Sequence, residues 1–168
     1  MDRLSRISNQ IWVIEDNPDD QALVQAAFRK IAPTYPLEIL DSGTHALRTL
    51  ADGSDPNTRL PGLILVDINL PDISGQEVVQ GIKRHPLGFA MPVVMLTTSA
   101  AHSDIATCYA AGCDGYFVKP YGFEALVDTL HCVTQYWMHP YRRGALAGRL
   151  KSPQSTGLGA APGHSDPI

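Results

Sequence analysis

Residues that could bind a metal ion or accept a phosphoryl group stand directly after four short apolar runs. Glu15 and Asp16 follow the first run, Asp67 follows a later one, and Thr97 and Lys119 follow two more. Three carboxylates in one pocket would repel one another, and a hard divalent cation such as Mg²⁺ (or Mn²⁺) would relieve that repulsion. A carboxylate can act as a nucleophile toward phosphorus, with a cation and a lysine neutralising charge on the transferring group. The residue types therefore predict metal-assisted phosphoryl transfer if the fold brings them together.

The apolar runs are predicted to be strands, because each is short, rich in apolar residues and bounded by turn-forming residues. Between them lie segments whose apolar residues recur every three to four positions, as on one face of a helix. The predicted strands cover residues 11–14, 37–40, 63–66, 91–96 and 116–118. The predicted helices cover residues 18–31, 44–50, 75–84, 102–111 and 123–138.

Five strand–helix alternations predict an α/β protein with a doubly wound parallel sheet and helices on both faces. Right-handed crossovers then give a flavodoxin-like fold with strand order 2-1-3-4-5. In this order the carboxyl ends of strands 1 and 3 are neighbours, at the edge where ligands of such sheets bind. Asp16 and Asp67 are then predicted as direct metal ligands, with Glu15 acting through water.

Composition limits the other function classes. The 168 residues are enough for one domain with a core, and the net charge of -4 argues against nucleic acid as the main partner. No apolar run approaches the ~20 residues of a membrane span, and residues 11–14 are too short for a signal-peptide core, so a cytoplasmic location is expected. The three cysteines form no C-x-x-C pair, which fits buried cysteines in a reducing compartment.

Three segments are predicted from the same composition. Residues 1–9 form a short polar arm, and residues 10–138 form the domain. Residues 139–168 are rich in Gly, Pro, Ser and Arg, which favours a mostly disordered tail.

Each candidate residue taken alone also has a purely structural interpretation. Acidic residues before a helix often cap it, and a strand-end Asp often only begins a loop. A phosphatase of the haloacid-dehalogenase type would also use a strand-end Asp with Mg²⁺. It would need a second Asp two residues later, where this chain has Asn69. A nucleotide-binding protein of this fold is another alternative, but no G-x-x-x-x-G-K-[ST] stretch is present.

The set as a whole resembles the receiver domain of two-component response regulators (CheY-like proteins), over roughly residues 8–138. The residues that carry the resemblance are Glu15-Asp16, Asp67 with Pro71 and Gly75 after it, Thr97, and Lys119-Pro120. It implies that Asp67 accepts a phosphoryl group from a phosphohistidine of a sensor histidine kinase. It also implies that Asp16, Asp67 and the backbone carbonyl of Asn69 hold Mg²⁺. Glu15 stands where Asp is common in the family.

The resemblance further implies a switch. Thr97 would move toward the phosphoryl group and Tyr116 would turn inward, and the surface of the fourth helix, the fifth strand and the fifth helix would be remodelled. The expected protein is a stand-alone regulator and not an enzyme. Its output would be a protein partner, dimerisation, or onward transfer through a histidine phosphotransfer protein. The alternative is a degenerate receiver that acts as a scaffold without phosphorylation.

A narrower resemblance is to regulators paired with bacterial phytochrome kinases, which are often homodimers. It rests on these residues: Leu96-Thr97-Thr98-Ser99, Cys108-Tyr109, Gly112-Cys113 and Tyr136-Trp137. Tyr136 and Trp137 are the predicted dimer contacts, because aromatic residues favour interfaces. The alternative for Trp137 is a place in the core.

Overall fold

The computed structural model describes residues 3–31, 34–52 and 59–139, which form a five-stranded parallel sheet with helices on both faces. The strands are β1 (Ile11–Ile14), β2 (Leu37–Leu40), β3 (Leu63–Val66), β4 (Val93–Thr97) and β5 (Gly115–Val118). The helices are α1 (Pro18–Ile31), α2 (Gly43–Asp52), α3 (Gly75–Arg84), α4 (His102–Ala111) and α5 (Phe123–Trp137). The strand order is β2-β1-β3-β4-β5, which confirms the predicted fold and order.

Two hydrophobic clusters, one on each face of the sheet, hold this architecture together. Every residue of β1 and β3 is buried, as expected for strands covered by helices on both sides. Side chains alternate between faces along a strand, so Trp12 and Ile14 pack with residues of α2, α3 and α4. Ile11 and Val13 pack with residues of α1 and α5. The apolar runs are thus continuous because both faces are buried.

The sequence missed some local structure at the amino edge of the sheet. The predicted polar arm contains a short 3₁₀ helix, Arg3–Arg6, and the Ser8 hydroxyl donates a 2.9 Å hydrogen bond to the carbonyl of Leu60. A second 3₁₀ helix, Gly88–Ala90, lies between α3 and β4, where buried Leu87 anchors the chain. β4 begins at Val93, two residues later than predicted.

Lys83 fastens this second 3₁₀ helix to the rest of the domain. Its Nζ donates to the Met91 carbonyl at 3.0 Å and to the Asp114 carboxylate at 2.7 Å. The same carboxylate accepts the backbone N–H of Val93 at 2.7 Å. The end of α3, the start of β4 and the turn before β5 are therefore fastened together.

The two tryptophans lie in different environments. Trp12 is only 2% exposed within the cluster against α2, α3 and α4. Trp137, at the end of α5, is half-buried against the other cluster, and the Tyr136 ring meets it edge-on at 4.8 Å. Trp137 thus contributes to the core, while Tyr136 is 61% exposed.

The cysteines follow the sequence prediction only in part. Cys108 and Cys113 are buried, and burial raises the pKa of both thiols to about 11, so they stay protonated at neutral pH. Cys132, on α5, is exposed, contrary to the expectation of buried cysteines. The predicted tail lies outside the described residues from position 140 onward. Within the described part of the chain, no helix has the length and apolar character to span a membrane.

Candidate functional site

The sheet register brings the carboxyl ends of four strands, β1, β3, β4 and β5, to the same edge of the sheet. Ile14 pairs with Val66, so Glu15 and Asp67 emerge side by side from β1 and β3. Thr97 pairs with Val118, and the next residue, Lys119, donates its backbone N–H to the Thr97 carbonyl at 2.7 Å. The predicted convergence of polar residues at the carboxyl edge of the sheet is present.

Lys119 lies at the centre of the resulting pocket. Its Nζ donates to Glu15 Oε2 at 2.5 Å, to Asp20 Oδ2 at 2.6 Å and to Asp67 Oδ2 at 3.0 Å. The Lys119 side chain is 11% exposed and that of Glu15 is 4% exposed. A largely buried ammonium thus faces three carboxylates, which is the arrangement that makes such a charge tolerable away from water.

Asp20, and not Asp16, joins this group. Asp16 was predicted as a direct metal ligand, but its side chain is exposed and is not among the three carboxylates that the structure brings together. The helical period could have identified Asp20, because it lies one turn before Val24, which is 2% exposed. In sequence, an acidic residue in the first turn of α1 is explained by the helix dipole alone.

Burial and ion pairing act in opposite directions on the charges of the pocket. Burial raises the pKa of Glu15, and this effect outweighs the opposing hydrogen bonds from Lys119 and the Asn17 N–H. Burial opposes the charge of Lys119, but hydrogen bonds to Asp20 and Glu15 and the charge of Asp67 outweigh it and raise its pKa. Lys119 therefore remains an ammonium at any physiological pH.

The donor set fits a hard divalent cation. Glu15, Asp20 and Asp67 each offer a carboxylate oxygen, and the three oxygens lie within 4.8 Å of one another. Carboxylate oxygens are the ligands that Mg²⁺ and Mn²⁺ prefer. Asn69, whose carbonyl was predicted as a further ligand, is exposed, and its N–H donates to Asp67 Oδ1 at 3.3 Å. The Asn69 N–H and the Lys119 ammonium therefore bind different oxygens of the Asp67 carboxylate.

The close approach of α3 to Asp67 fixes the position of this carboxylate along the strand. Gly75 begins α3, and a Cβ there would overlap the backbone carbonyl oxygen of Asp67 and the Cα of Ile68. Ser74 caps the helix in a reciprocal capping box with Glu77, which defines where α3 starts. Glycine at position 75 is therefore required by contact distance.

The predicted switch residues lie beside the pocket on β4 and β5. Thr97 is fully buried, and its hydroxyl accepts the Ser99 N–H at 3.4 Å. Tyr116 is half-buried, and its hydroxyl donates to the Ser99 carbonyl at 2.9 Å. The Ser99 hydroxyl donates to Asp104 in the first turn of α4 at 2.5 Å. Ser99 thus links Thr97, Tyr116 and α4.

Asp72 ties the loop that follows Asp67 to the start of α2. Its carboxylate accepts the backbone N–H of Gly43 at 3.1 Å and of Thr44 at 2.7 Å. Although burial slightly opposes its charge, hydrogen bonds from the Thr44 hydroxyl and from nearby backbone N–H groups hold the pKa of Asp72 well below its usual value. The loop is therefore anchored by a charge-assisted cap on a neighbouring helix.

We expect Asp72→Ala to lower the free energy of unfolding by about 1 kcal/mol at pH 7, the usual effect of losing such a cap. Because the folded-state pKa is depressed, this stabilisation is complete above the unfolded-state value of 3.8 and is lost as pH falls through the folded value. Urea unfolding from pH 7 to pH 2 should show a constant difference between the two proteins down to about pH 4 and a difference that shrinks progressively below it. Asp128→Ala, at an exposed position on α5, should change stability by less than about 0.5 kcal/mol. A constant Asp72→Ala deficit at all pH values would contradict the ionic cap.

A shallow cavity adjoins the pocket between α1 and the segment that follows β5. Lys119 and Asp20 line it, together with Leu23, Val118 and Tyr121. Leu23 is 45% exposed, Val118 is 43% exposed and Tyr121 is fully exposed. The charged pocket is therefore bordered by an apolar surface that a partner protein could contact.

This part of the chain is similar to a known protein family and to individual proteins. The family model for the response regulator receiver domain matches residues 11–131. The probable methanogenesis regulatory protein FilR2 of Methanothrix harundinacea is 35% identical over 128 residues, 76% of this chain and 83% of that protein. Response regulator Rcp1 of Synechocystis is 33% identical over 129 residues, 76% of this chain and 88% of that protein.

Two solved structures of response regulators are also similar to this part of the chain. The phosphorylated cyanobacterial phytochrome response regulator RcpA matches with a TM-score of 0.70 at 30% identity, over 77% of this chain and 94% of that one. The Mn(2+)-bound form of Rcp1 matches with a TM-score of 0.68 at 32% identity, over 78% of this chain and 95% of that one. The range matched by the family model contains every strand of the sheet, Lys119 and its three carboxylate partners.

Proposed function

The chain belongs to the family of response-regulator receiver domains, and from this premise we propose that Asp67 accepts a phosphoryl group from a sensor histidine kinase. The observation that carries the proposal is the contact between Asp67 and Lys119 at 3.0 Å, at the carboxyl edge of the sheet and among further carboxylates. A strand-end carboxylate that is both oriented and charge-compensated is suited to act as a nucleophile toward phosphorus.

The proposed transfer leaves the charges of the pocket balanced. A carboxylate oxygen of Asp67 forms the new P–O bond while the P–N bond of the phosphohistidine breaks, and its electron pair leaves with the imidazole. Mg²⁺ or Mn²⁺ would be held by Asp67 directly and by Glu15 through water, and it would compensate the added negative charge. Asp16 and the Asn69 carbonyl, assigned to the metal by the resemblance, stay part of this proposal. Lys119 turns one of its N–H donors from Asp67 to a phosphoryl oxygen.

The proposed output is a rearrangement of the β4–α4 region. When Thr97 moves so that its hydroxyl donates to a phosphoryl oxygen, the 3.4 Å bond that this hydroxyl accepts from the Ser99 N–H changes with it. Ser99 also holds Tyr116 and Asp104, so the change reaches β5 and α4 through contacts already present. The proposed switch is thus a local change in charge at Asp67 that alters the packed surface formed by β5 and α4.

The proposed partners follow from the family and from the surfaces near the pocket. A sensor histidine kinase would contact the apolar surface around Leu23, Val118 and Tyr121, beside Lys119. A phytochrome kinase is proposed because one similar structure is that of a phytochrome response regulator, and a histidine phosphotransfer protein is a further partner of the same chemistry. The proposed location is the cytoplasm, and no nucleic acid or membrane partner is proposed.

The protein is proposed to act as a homodimer and not as an enzyme on separate substrates. Tyr136 is 61% exposed at the end of α5, next to half-buried Trp137, and an exposed aromatic beside a packed one is a typical interface anchor. Its only proposed chemistry is Mg²⁺-dependent self-phosphorylation and autodephosphorylation. The stand-alone assignment and the domain bounds of 10–138 are part of the same proposal.

Intact mass after incubation with acetyl phosphate and Mg²⁺ tests the acceptor. The wild-type protein should gain one phosphoryl group, while Asp67→Asn, and the wild-type protein in EDTA, should gain none. The size-exclusion profile of the same samples, with Tyr136→Ala as a further variant, tests the dimer. Equal labelling of Asp67→Asn would place the acceptor elsewhere. Lack of labelling by both acetyl phosphate and a phosphorylated kinase would favour a scaffold that is never phosphorylated.

A further inference from the structure

We propose that Asp20 is a positioning residue that holds the Lys119 ammonium over Asp67. This inference rests on the proposed function, because Lys119 is the cation that meets the phosphoryl group. It concerns a residue whose charge would otherwise be explained by its place in the first turn of a helix.

The hydrogen-bond geometry of Lys119 is the first argument. An ammonium has three N–H donors, and here each has one carboxylate acceptor, on Glu15, Asp20 and Asp67. The bonds to Glu15 and Asp20, at 2.5 and 2.6 Å, are shorter than the 3.0 Å bond to Asp67. Only the longest of the three has to be exchanged when a phosphoryl group occupies Asp67. The other two can hold Nζ in place throughout.

The placement of the three acceptors on separate elements is the second argument. Glu15 follows β1, Asp67 follows β3, and Asp20 belongs to α1. The contact from Asp20 is therefore the one that joins a helix to the residue after β5. Because Asp20 and Lys119 both line the shallow cavity beside the pocket, their contact also fixes the width of its charged end. A three-point attachment restricts the long lysine side chain far more than a single ion pair does.

The contacts with Lys119 also explain why the carboxylate oxygens of Glu15, Asp20 and Asp67 lie so close together. One oxygen from each of the three carboxylates lies within 4.8 Å of the others, and each carboxylate accepts one hydrogen bond from the Lys119 ammonium between them. Without Lys119, like charges at this separation would repel. The sign of the Asp20 contribution to stability should therefore depend on whether Lys119 is present.

A double-mutant cycle in EDTA measures that dependence without any phosphorylation. In the protein with Lys119, Asp20→Asn should lower the urea midpoint of unfolding by about 0.5 M. In the Lys119→Met background the same change should raise the midpoint by a similar amount, because it removes a repelling charge. Asp19→Asn, an equal charge change at an exposed neighbouring position, should shift the midpoint alike in both backgrounds. Equal effects of Asp20→Asn in both backgrounds would overturn the proposal.

The rate of phosphorylation separates positioning from metal binding. We expect Asp20→Asn to lower the maximal rate with acetyl phosphate at saturating Mg²⁺ about tenfold, and Asp20→Glu to restore part of it. The Mg²⁺ dissociation constant, measured by calorimetry, should change less than threefold. A tenfold weaker Mg²⁺ affinity with an unchanged maximal rate would instead make Asp20 a metal ligand and overturn the inference. If the wild-type protein accepts no phosphoryl group, the proposed function fails, while the unfolding cycle still decides the role of Asp20.

Discussion

In EDTA, Lys119→Met is expected to lower the free energy of unfolding by about 3–5 kcal/mol at neutral pH, the usual cost of removing one partner from a buried ionic contact. Methionine keeps most of the length and volume of the side chain, so the loss comes from charge and not from a cavity. Glu15, Asp20 and Asp67 would be left together with no ammonium between them. Chemical unfolding monitored by circular dichroism measures the difference.

The loss of stability caused by Lys119→Met should become smaller as the pH falls. The pKa of Glu15 is already raised by burial, so its contribution to stability is present below the unfolded value of 4.5 and is lost as pH rises through the folded value. Removal of Lys119 takes away a hydrogen bond and a charge that lower this pKa. The Lys119→Met deficit should therefore shrink as pH falls toward 4.5, and Mg²⁺ should stabilise the variant at least as much as the wild type.

Lys30→Met is the matched control for this substitution. Lys30 pairs with Glu124 at 2.7 Å, but the two side chains are 51% and 74% exposed. Such a pair contributes less than about 1 kcal/mol. Similar losses for the two lysine variants would show that the burial of the Lys119 cluster has no energetic consequence.

Gly75→Ala is the second substitution for which we expect a large loss of stability. In most helices this change would be neutral or favourable, because glycine costs about 0.5–1 kcal/mol relative to alanine. Here the new methyl group would overlap the Asp67 carbonyl oxygen and the Ile68 Cα, which are backbone atoms. We expect a loss of about 3 kcal/mol, near the upper end for overpacking, and a strong fall in phosphoryl acceptance because the Asp67 backbone must shift.

Gly81→Ala in the same helix is the control for this prediction. Its three nearest neighbours would be the two Cδ atoms and the Cγ of Leu47, which belong to a flexible, half-buried side chain and not to the backbone. The stability change should stay within about 1 kcal/mol, and the rate of phosphorylation should be unaffected. Equal losses in stability from the two alanine variants would show that the close backbone approach at Gly75 is not limiting.

The strands and the polar residues at their ends could be predicted because each depends on a local pattern, and the strand order then follows from right-handed crossovers. Continuous apolar runs identify strands buried on both faces, and the residue after each run is placed by the strand itself. Asp67 and Lys119 are therefore placed by counting along the chain. The start of α3 was equally accessible, since Ser74 and Glu77 form the spacing of a capping box.

The sequence could not predict which side chains of two distant elements point toward each other and make contact. The choice between Asp16 and Asp20 depends on how α1 is rotated against the sheet, which is set by the packing of Val24 and Phe28. The short 3₁₀ helix Gly88–Ala90 depends on the contact between Lys83 and Asp114, which are 31 residues apart. The helical period places Asp20 one turn before buried Val24, but no local pattern shows that its partner is Lys119 or that Lys83 meets Asp114.

The positions of the two tryptophans give the protein two separable optical reporters. Trp12, deep in one hydrophobic cluster, emits from an environment that added iodide cannot reach while the fold is intact. Trp137, beside exposed Tyr136 at the end of α5, senses what covers that end of the helix. A Trp12→Phe protein would therefore report association through a single emission band, and a Trp137→Phe protein would report unfolding alone.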